Sequence, residues 1–235
     1  FNRLLPKQRW RHLRGYRFPF LGEVLQTIFI CPSHECNANC VHCYEKFMHE
    51  KFKYSLTTEQ VKNIIDQFHR LNGYLAIFCS GEFLMRPDAL EILRYCHSKD
   101  LATAITTNGI LLDEKKIDEL VKAGINSLFV ASDSADPQRH DRLRGVSGCF
   151  DKAVRGMQLA KARGITTAIW TYVSRSNSDG IEAIAKLGEK LGVDGVYSYL
   201  PLLSGHFFNK FEENLTPEER NMYRAKFKHL KNLTF

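Results

Sequence analysis

Short apolar runs alternate with amphipathic segments between residues 24 and 230, and this alternation constrains the fold more than any other feature. It is typical of βα units, whose strands pair in a parallel sheet. We predict six strands, at residues 27–30, 75–79, 102–106, 128–131, 167–173 and 195–200. Because a closed barrel of this type needs eight strands, the sequence predicts an α/β fold with an open, partial (β/α)6 TIM-like barrel.

The segments between the apolar runs carry signals for helices. Thr57-Thr58-Glu59-Gln60 is a capping box, and Pro87 and Asp88 start a second helix. Further helices are predicted at residues 113–123, 151–163, 181–191 and 216–230, and a longer loop is predicted between the fourth strand and residue 151. With no linker inside this region, we expect one barrel domain with a C-terminal helix over residues 24–235.

Size and composition are those of one globular domain. The 235 residues are 44% hydrophobic and 25% charged, which is ordinary for a soluble protein. No apolar run approaches the roughly 18 residues that span a bilayer, and no signal peptide is evident. Seven cysteines, three of them clustered, do not form the pattern of a disulfide framework. A reducing, cytoplasmic location is therefore expected.

Residues 1–23 form a basic N-terminal arm that contributes much of the net charge of +7. Its first 17 residues contain six basic side chains and no acidic one, with Trp10 and Tyr16 among them. Such a segment suits nucleic acid, an anionic membrane, an acidic electron-transfer protein or plain solvation. Among these partners, nucleic acid is not the one we expect.

Cys36, Cys40 and Cys43 follow the first predicted strand in one short loop. Soft thiolate ligands in such a group favour an iron–sulfur cluster, zinc or copper(I). A cubane [4Fe–4S] cluster normally takes four thiolates, so three would leave one iron open for chemistry. The alternative is a zinc site completed by His34 or His42, in a non-catalytic module that binds nucleic acid through its basic arm.

Polar groups follow the next three predicted strands. They are Ser80-Gly81-Glu82, Thr107-Asn108-Gly109 and Ser132-Asp133. Each alone is explained as a turn or a helix cap. In barrels of this class, however, the functional site is built from loops at the carboxyl ends of the strands. Their occurrence at consecutive strand ends, beside a thiolate loop, favours a shared site.

The C-x3-C-x2-C loop and this order of polar groups resemble the radical S-adenosylmethionine (radical SAM) superfamily, over most of the chain to about Leu200. The resemblance implies that Cys36, Cys40 and Cys43 bind a [4Fe–4S] cluster, with S-adenosylmethionine chelating the open iron. It implies reductive cleavage to a 5′-deoxyadenosyl radical that abstracts hydrogen from a substrate. It also implies a low-potential electron donor of the flavodoxin or ferredoxin type.

The resemblance extends to the loops after the first two strands. His42 matches the position of an aromatic side chain that lies against the adenine. Ser80-Gly81-Glu82 stands where the family commonly has Gly-Gly-Glu, so Gly81 and Glu82 are expected at the methionine amino group. Ser80 departs from that pattern and makes the backbone there less permissive.

Later positions complete the expected S-adenosylmethionine site. Ser132 matches a residue that reaches the ribose, and Asn108 is expected near it. Arg144 matches the arginine that pairs with the methionine carboxylate, for which a planar guanidinium is suited. Tyr199 and Leu200 are expected beside the adenine.

Other cysteines and aromatic residues have open assignments. Cys79 and Cys96 are expected to be core residues, and Cys31 is a minor candidate for an auxiliary metal ligand. Trp170 and Tyr172 alternate on the fifth strand and should point the same way, either into the cavity or towards the helices.

Residues 200–211 carry features that suggest a class of substrate. Residues 200–206 resemble the barrel exit of members with a C-terminal SPASM or twitch-type extension, yet no cysteine follows Cys149. We expect a peptide or small-molecule substrate, and Phe207, Phe208 and Phe211 would suit a lipid-like one. A further alternative is a fold that binds S-adenosylmethionine without turnover.

Overall fold

The computed structural model describes residues 26–45, 55–200, 209–227 and 233–234. The predicted N-terminal arm, residues 1–23, lies outside the described residues, and so do Phe207 and Phe208. The domain bounds of residues 24–235 therefore stay a prediction.

Parallel strands form one sheet in the order β1 to β7. The strands are β1 (Thr27–Ile30), β2 (Leu75–Phe78), β3 (Ala102–Thr107), β4 (Ser127–Ala131), β5 (Thr166–Tyr172), β6 (Gly195–Tyr199) and β7 (Leu233–Thr234). The first six confirm the predicted α/β half-barrel. The two-residue β7 was not predicted. It pairs with β6, where an edge strand would otherwise leave backbone groups unpaired.

The helices are α1 (Thr58–Arg70), α2 (Ala89–Ser98), α3 (Glu114–Lys122), α4 (Pro137–Arg144), α5 (Cys149–Ala162), α6 (Ile181–Leu191) and α7 (Pro217–Phe227). The capping box at the start of α1 is present, because Thr57 and Gln60 exchange side-chain to backbone hydrogen bonds. α4 replaces part of the predicted loop. Asp136 caps it by accepting from the Arg139 backbone N–H at 2.6 Å, and Pro137 occupies its first turn.

Alternating side chains divide the sheet into two faces. Along β2, Ala76 and Phe78 belong to the large core beneath the helices, whereas Leu75 and Ile77 belong to a smaller cluster on the other face. This alternation is the period-2 pattern of a strand. The helix-covered face carries the large hydrophobic core, and the opposite face carries the smaller cluster.

Candidate active site

A cavity of about 450 Å³ opens at the carboxyl ends of the strands. The predicted site residues that line it are Cys36, Cys40, His42, Cys43, Gly81, Asn108, Arg144, Tyr199 and Leu200. Glu82 and Ser132, which were also predicted, are buried and are not among its lining residues. Most of the predicted site residues thus line one cavity, and Glu82 and Ser132 lie behind its wall.

The loop that carries the three cysteines is anchored on the end of α4. Its Asn39 and Val41 backbone N–H groups donate to the carbonyls of Arg144 and Leu143 at 3.0 and 2.9 Å. Gly145 has a φ of 67°, and a Cβ there would lie 2.5 Å from the Asn39 carbonyl oxygen. The close approach requires glycine at this position, and it holds the cysteine loop against the end of α4.

Two polar side chains contact the cysteine sulfurs. Asn108 Nδ2 donates to Asn37 Oδ1 at 2.7 Å and lies 3.8 Å from Cys36 Sγ. Arg144 Nη1 lies 3.6 Å from Cys40 Sγ. Hydrogen bonds of this kind stabilise thiolates and tune a bound cluster. Burial raises the pKa of Cys36 to about 11, so this thiol would lose its proton on binding metal rather than beforehand.

The donor set fits a cluster better than a single ion. Within the ranges that the structure describes, no three His, Cys, Asp or Glu side chains converge closely enough to hold one metal ion. The three thiols nevertheless line the same cavity. Each thiolate of a cubane binds a different iron, so its sulfurs need not meet at one point. The residues present therefore fit a [4Fe–4S] cluster with one open iron.

Arg144 is held by a buried carboxylate. Its Nη2 lies 2.6 Å from Asp133 Oδ2, and the two side chains are 9% and 0% exposed. Asp133 in turn accepts from the Tyr172 backbone N–H at 3.2 Å and donates its own N–H to His140 Nδ1 at 3.2 Å. Arg144 Nε is buried and has no hydrogen-bond partner in the described part of the chain. The Arg144 side chain also lines the cavity, where a guanidinium suits a ligand carboxylate.

His42 lies against Tyr172, with ring centroids 3.7 Å apart and planes at 25°. Its Nε2 is 3.7 Å from Asp133 Oδ2. Tyr172 is fully buried, whereas Trp170 lines the cavity. Because the Tyr172 ring stacks on His42, which itself lines the cavity, both aromatic residues of β5 lie on the cavity side, one of the two alternatives that the sequence left open.

Glu82 joins the ends of β2 and β3. Its carboxylate accepts from the Asn108 N–H at 2.8 Å, from Thr107 Oγ1 at 2.9 Å and from the Leu84 N–H at 3.3 Å. Burial raises the pKa of Glu82 to about 7. Ser132 is also buried, with its hydroxyl donating to the Ser134 carbonyl at 3.4 Å. Contacts of either side chain with S-adenosylmethionine stay a prediction.

Ser80 and Gly81 both have left-handed backbone conformations, with φ of 78° and 55°. A Cβ on Gly81 would lie 2.4 Å from the Glu35 carbonyl oxygen, so only glycine fits there. Ser80 has a Cβ in a region that suits glycine, which costs free energy. Its hydroxyl compensates in part through a 3.0 Å hydrogen bond with His34 Nδ1.

An aromatic wall completes the cavity, and two of its residues, Phe29 and Phe129, were not expected there. It consists of Phe29, Phe129, Trp170 and Tyr199. The Trp170 ring lies 5.5 Å from the Tyr199 ring and 5.4 Å from the Phe129 ring, between centroids. Phe29 is 59% exposed. The signal in the sequence was the alternation along the strands, which places these residues on the face opposite the helices.

The prediction that Cys79 is a core residue is wrong. Cys79 is half-buried and lines the cavity, with its sulfur 3.5 Å from that of Cys31. It comes directly after β2, at the strand end where the barrel opens. Cys96, on α2, is fully buried as expected.

The model of the radical SAM superfamily matches residues 30–188 of this sequence. The chain belongs to the radical SAM superfamily. Members of this family are enzymes that use a [4Fe–4S] cluster and S-adenosylmethionine. Membership confirms the family and cofactors expected from the three-cysteine loop, and it favours an enzyme over a non-catalytic metal-binding module.

Several curated proteins are similar to this radical SAM chain. An AdoMet-dependent heme synthase of Oleidesulfovibrio alaskensis is 30% identical over 184 residues, which are 78% of this chain and 47% of that protein. A PqqA peptide cyclase of Granulibacter bethesdensis is 26% identical over 160 residues, 68% of this chain and 43% of that protein. The chain thus spans about half the length of these relatives.

Solved structures share the fold. SuiB of Streptococcus suis, bound to its precursor peptide SuiA, superposes with a TM-score of 0.74 at 15% identity. The match covers 96% of this radical SAM chain and 50% of SuiB. SuiB has also been solved with S-adenosylmethionine bound.

Among the described residues, none of the helices is both long and apolar enough to cross a membrane.

Proposed function

We propose that residues 24–235 form the catalytic core of a radical SAM enzyme that acts on a peptide or small-molecule substrate. When bound, the cluster and S-adenosylmethionine supply a 5′-deoxyadenosyl radical by reductive cleavage, and this radical removes hydrogen from the substrate. The observation that carries the proposal is the meeting of Cys36, Cys40 and Cys43 with Arg144 in the wall of one cavity.

The side chains of this chain would bind and orient the cofactors. Arg144 holds the methionine carboxylate while its other nitrogens contact Cys40 and Asp133. Asn108 fixes the cysteine loop through Asn37 and faces the cavity. The peptide N–H of Gly81 donates to Glu45 Oε2 at 2.8 Å, which shapes the wall near the methionine amino group.

Further site assignments are proposals for the adenosyl part. His42, Tyr199 and Leu200 would contact the adenine from the cavity wall. Glu82 and Ser132 would act on the ribose or amino group only after a change of side-chain conformation, because both are engaged in buried hydrogen bonds.

The aromatic wall favours a substrate with a flat, apolar group. Phe129, Trp170 and Tyr199 present rings that stack well on a conjugated system. The relatives named for heme synthesis and for peptide cyclisation are consistent with the two substrate classes. We propose a planar small molecule as the first class to test and a peptide as the second.

The electron is proposed to come from a low-potential donor of the flavodoxin or ferredoxin type, in the cytoplasm. The basic arm, residues 1–23, is a candidate docking segment for such an acidic protein. An ionic-strength series of the reduction rate would test this, since a charged contact weakens as salt rises.

Binding measurements test the proposed function. After anaerobic treatment with iron and sulfide, we expect about four irons per chain and retention of S-adenosylmethionine in equilibrium dialysis. One zinc per chain, no iron and no S-adenosylmethionine would support the non-catalytic module instead. Iron with S-adenosylmethionine binding but no cleavage would support the fold without turnover.

Fluorescence tests the substrate class. The sequence has two tryptophans, Trp10 and Trp170. An iron porphyrin in the cavity should quench Trp170, and the Trp170→Phe variant should lose most of that quenching while Trp10 still fluoresces. A peptide that quenches Trp170 where the porphyrin does not would favour the second class.

A further inference from the structure

Cys31 and Cys79 lie side by side at the carboxyl ends of two paired strands. The register of β1 and β2 pairs Ile30 with Phe78, so the two cysteines are the next pair along the strands. The Cys79 backbone N–H donates to the Ile30 carbonyl at 3.1 Å and continues the pairing. The sulfur atoms are 3.5 Å apart.

This arrangement suits a disulfide. Adjacent strands are separated by about 4.8 Å, which lies within the range of about 4.4–6.8 Å between the Cα atoms of bonded cysteines. Closing the 3.5 Å gap between the sulfurs therefore needs side-chain rotation rather than movement of the strands.

The two thiols differ in exposure and in acidity. Cys31 is exposed, whereas Cys79 is half-buried. The hydrogen bond from Cys79 lowers the pKa of Cys31, against the opposing effects of burial and of Glu45. The same hydrogen bond, together with burial, raises the pKa of Cys79. Cys31 is thus the accessible nucleophile, and Cys79 is the neighbour that resolves it.

We propose that Cys31 and Cys79 are a thiol-oxidation site that forms a reversible disulfide at the rim of the cavity. The oxidant is a low-molecular-weight disulfide such as oxidised glutathione. The Cys31 thiolate attacks one of its sulfurs and releases one glutathione thiolate. Cys79 then gives up its proton and attacks the Cys31 sulfur, which releases the second. The protein loses two electrons, and the oxidant gains them as two thiols.

A disulfide between Cys31 and Cys79 would lie next to two loops that form the cavity wall. Cys31 precedes the cysteine loop that begins at Cys36, and Cys79 precedes Ser80 and Gly81. Oxidation would covalently link a residue that precedes the cysteine loop to the residue before Ser80 and Gly81. The reaction does not require the cluster, so the proposal goes beyond the proposed function and can fail independently of it.

Peptide mapping tests the proposal on the full chain. The reduced protein is incubated without oxygen with oxidised glutathione, blocked with N-ethylmaleimide, digested and analysed by mass spectrometry. We expect a linked peptide joining Cys31 to Cys79, which dithiothreitol removes. Cys96, fully buried on α2, should remain reduced as an internal control. A disulfide joining Cys31 to Cys36, Cys40 or Cys43 would overturn the proposal.

Two variants make the result decisive. In Cys79→Ser, the resolving thiol is missing, so stable glutathionylation of Cys31 should replace the linked peptide. In the variant with Cys36, Cys40 and Cys43 all changed to Ala, the linked peptide should form as before. Stable glutathione on Cys31 in the unaltered chain, with Cys79 still free, would contradict the proposal.

Discussion

Arg144 Nη2 and Asp133 Oδ2 are 2.6 Å apart, in a buried ion pair that joins the last residue of α4 to the loop after β4. The pair fixes the guanidinium beside Cys40, with the Nη1 to Sγ distance at 3.6 Å. Because α4 also carries the cysteine loop on its final carbonyls, one short helix positions both the thiols and the cation.

Arg144→Lys tests the role of the guanidinium in cofactor binding. Lysine keeps the charge but cannot bind a carboxylate through two parallel hydrogen bonds while contacting Asp133. We expect the affinity for S-adenosylmethionine to fall at least about tenfold, a loss of about 1.4 kcal/mol, measured by equilibrium dialysis on the cluster-loaded chain.

The control for this variant is a measurement of unfolding free energy, which shows whether the substitution at Arg144 leaves the chain folded. Arg144→Ala leaves the buried Asp133 carboxylate without its partner, which should cost about 3–5 kcal/mol of unfolding free energy. Arg144→Lys should retain much of that stability. An unchanged affinity in Arg144→Lys and in a folded Arg144→Ala would exclude the carboxylate assignment.

Glu82 makes the unfolding free energy depend on pH. Its pKa rises from 4.5 to about 7 on folding because of burial, so the folded state binds the proton more tightly than the unfolded state. The contribution of Glu82 to stability is therefore greatest below pH 4.5 and is lost as pH rises to 7. The full difference is about 3 kcal/mol.

Urea denaturation between pH 4.5 and 7 checks this, with Glu82→Gln as the matched variant. Gln is neutral throughout, and its carbonyl still accepts from Thr107. The difference in stability between the two proteins should change across this window. Parallel pH curves would show that folding does not shift the pKa of Glu82.

Ser80 provides a test of backbone strain. At a φ of 78°, the presence of a Cβ lowers the free energy of unfolding by about 1–2 kcal/mol. Replacing the residue by glycine removes this strain, but part of the gain is lost because glycine has more conformational entropy in the unfolded chain. Ser80→Gly should therefore be more stable than Ser80→Ala by about 1 kcal/mol, since both lose the hydrogen bond to His34. Equal midpoints in chemical denaturation would mean that the left-handed conformation carries no strain.

Replacing the thiols one at a time tests the cluster ligands. Cys36→Ala, Cys40→Ala and Cys43→Ala should each prevent assembly, measured as iron and sulfide bound per chain. Cys96→Ala removes a thiol from the core on α2 and should bind iron as the unaltered chain does. Full iron content in any of the three loop variants would remove that residue from the ligand set.

The half-barrel followed from the sequence because each of the first six strands has a short apolar run and the helices other than α4 have a periodic face. Helix α4 was missed, although Asp136 and Pro137 mark its start, because its residues Pro137–Arg144 are almost all polar. Strand β7 has two residues, too few to show a period.

The site was predictable in position but not in contacts. Spacing places Glu82 and Asn108 at adjacent strand ends, yet it does not reveal that the Glu82 carboxylate turns away from the cavity to accept from the Asn108 N–H. The pairing of Cys31 with Cys79 joins residues 48 positions apart, and that of Arg144 with Asp133 joins the two ends of the segment that contains α4. They depend on loop conformation and strand register, which residue types alone do not fix.

The most direct measurement is of 5′-deoxyadenosine after anaerobic reduction of the reconstituted chain with dithionite and S-adenosylmethionine. We expect 5′-deoxyadenosine and methionine to form in equal amounts even without substrate, and Cys40→Ala to form neither. A reconstituted chain that holds a full cluster and binds S-adenosylmethionine, yet produces no 5′-deoxyadenosine, would contradict the proposed radical chemistry.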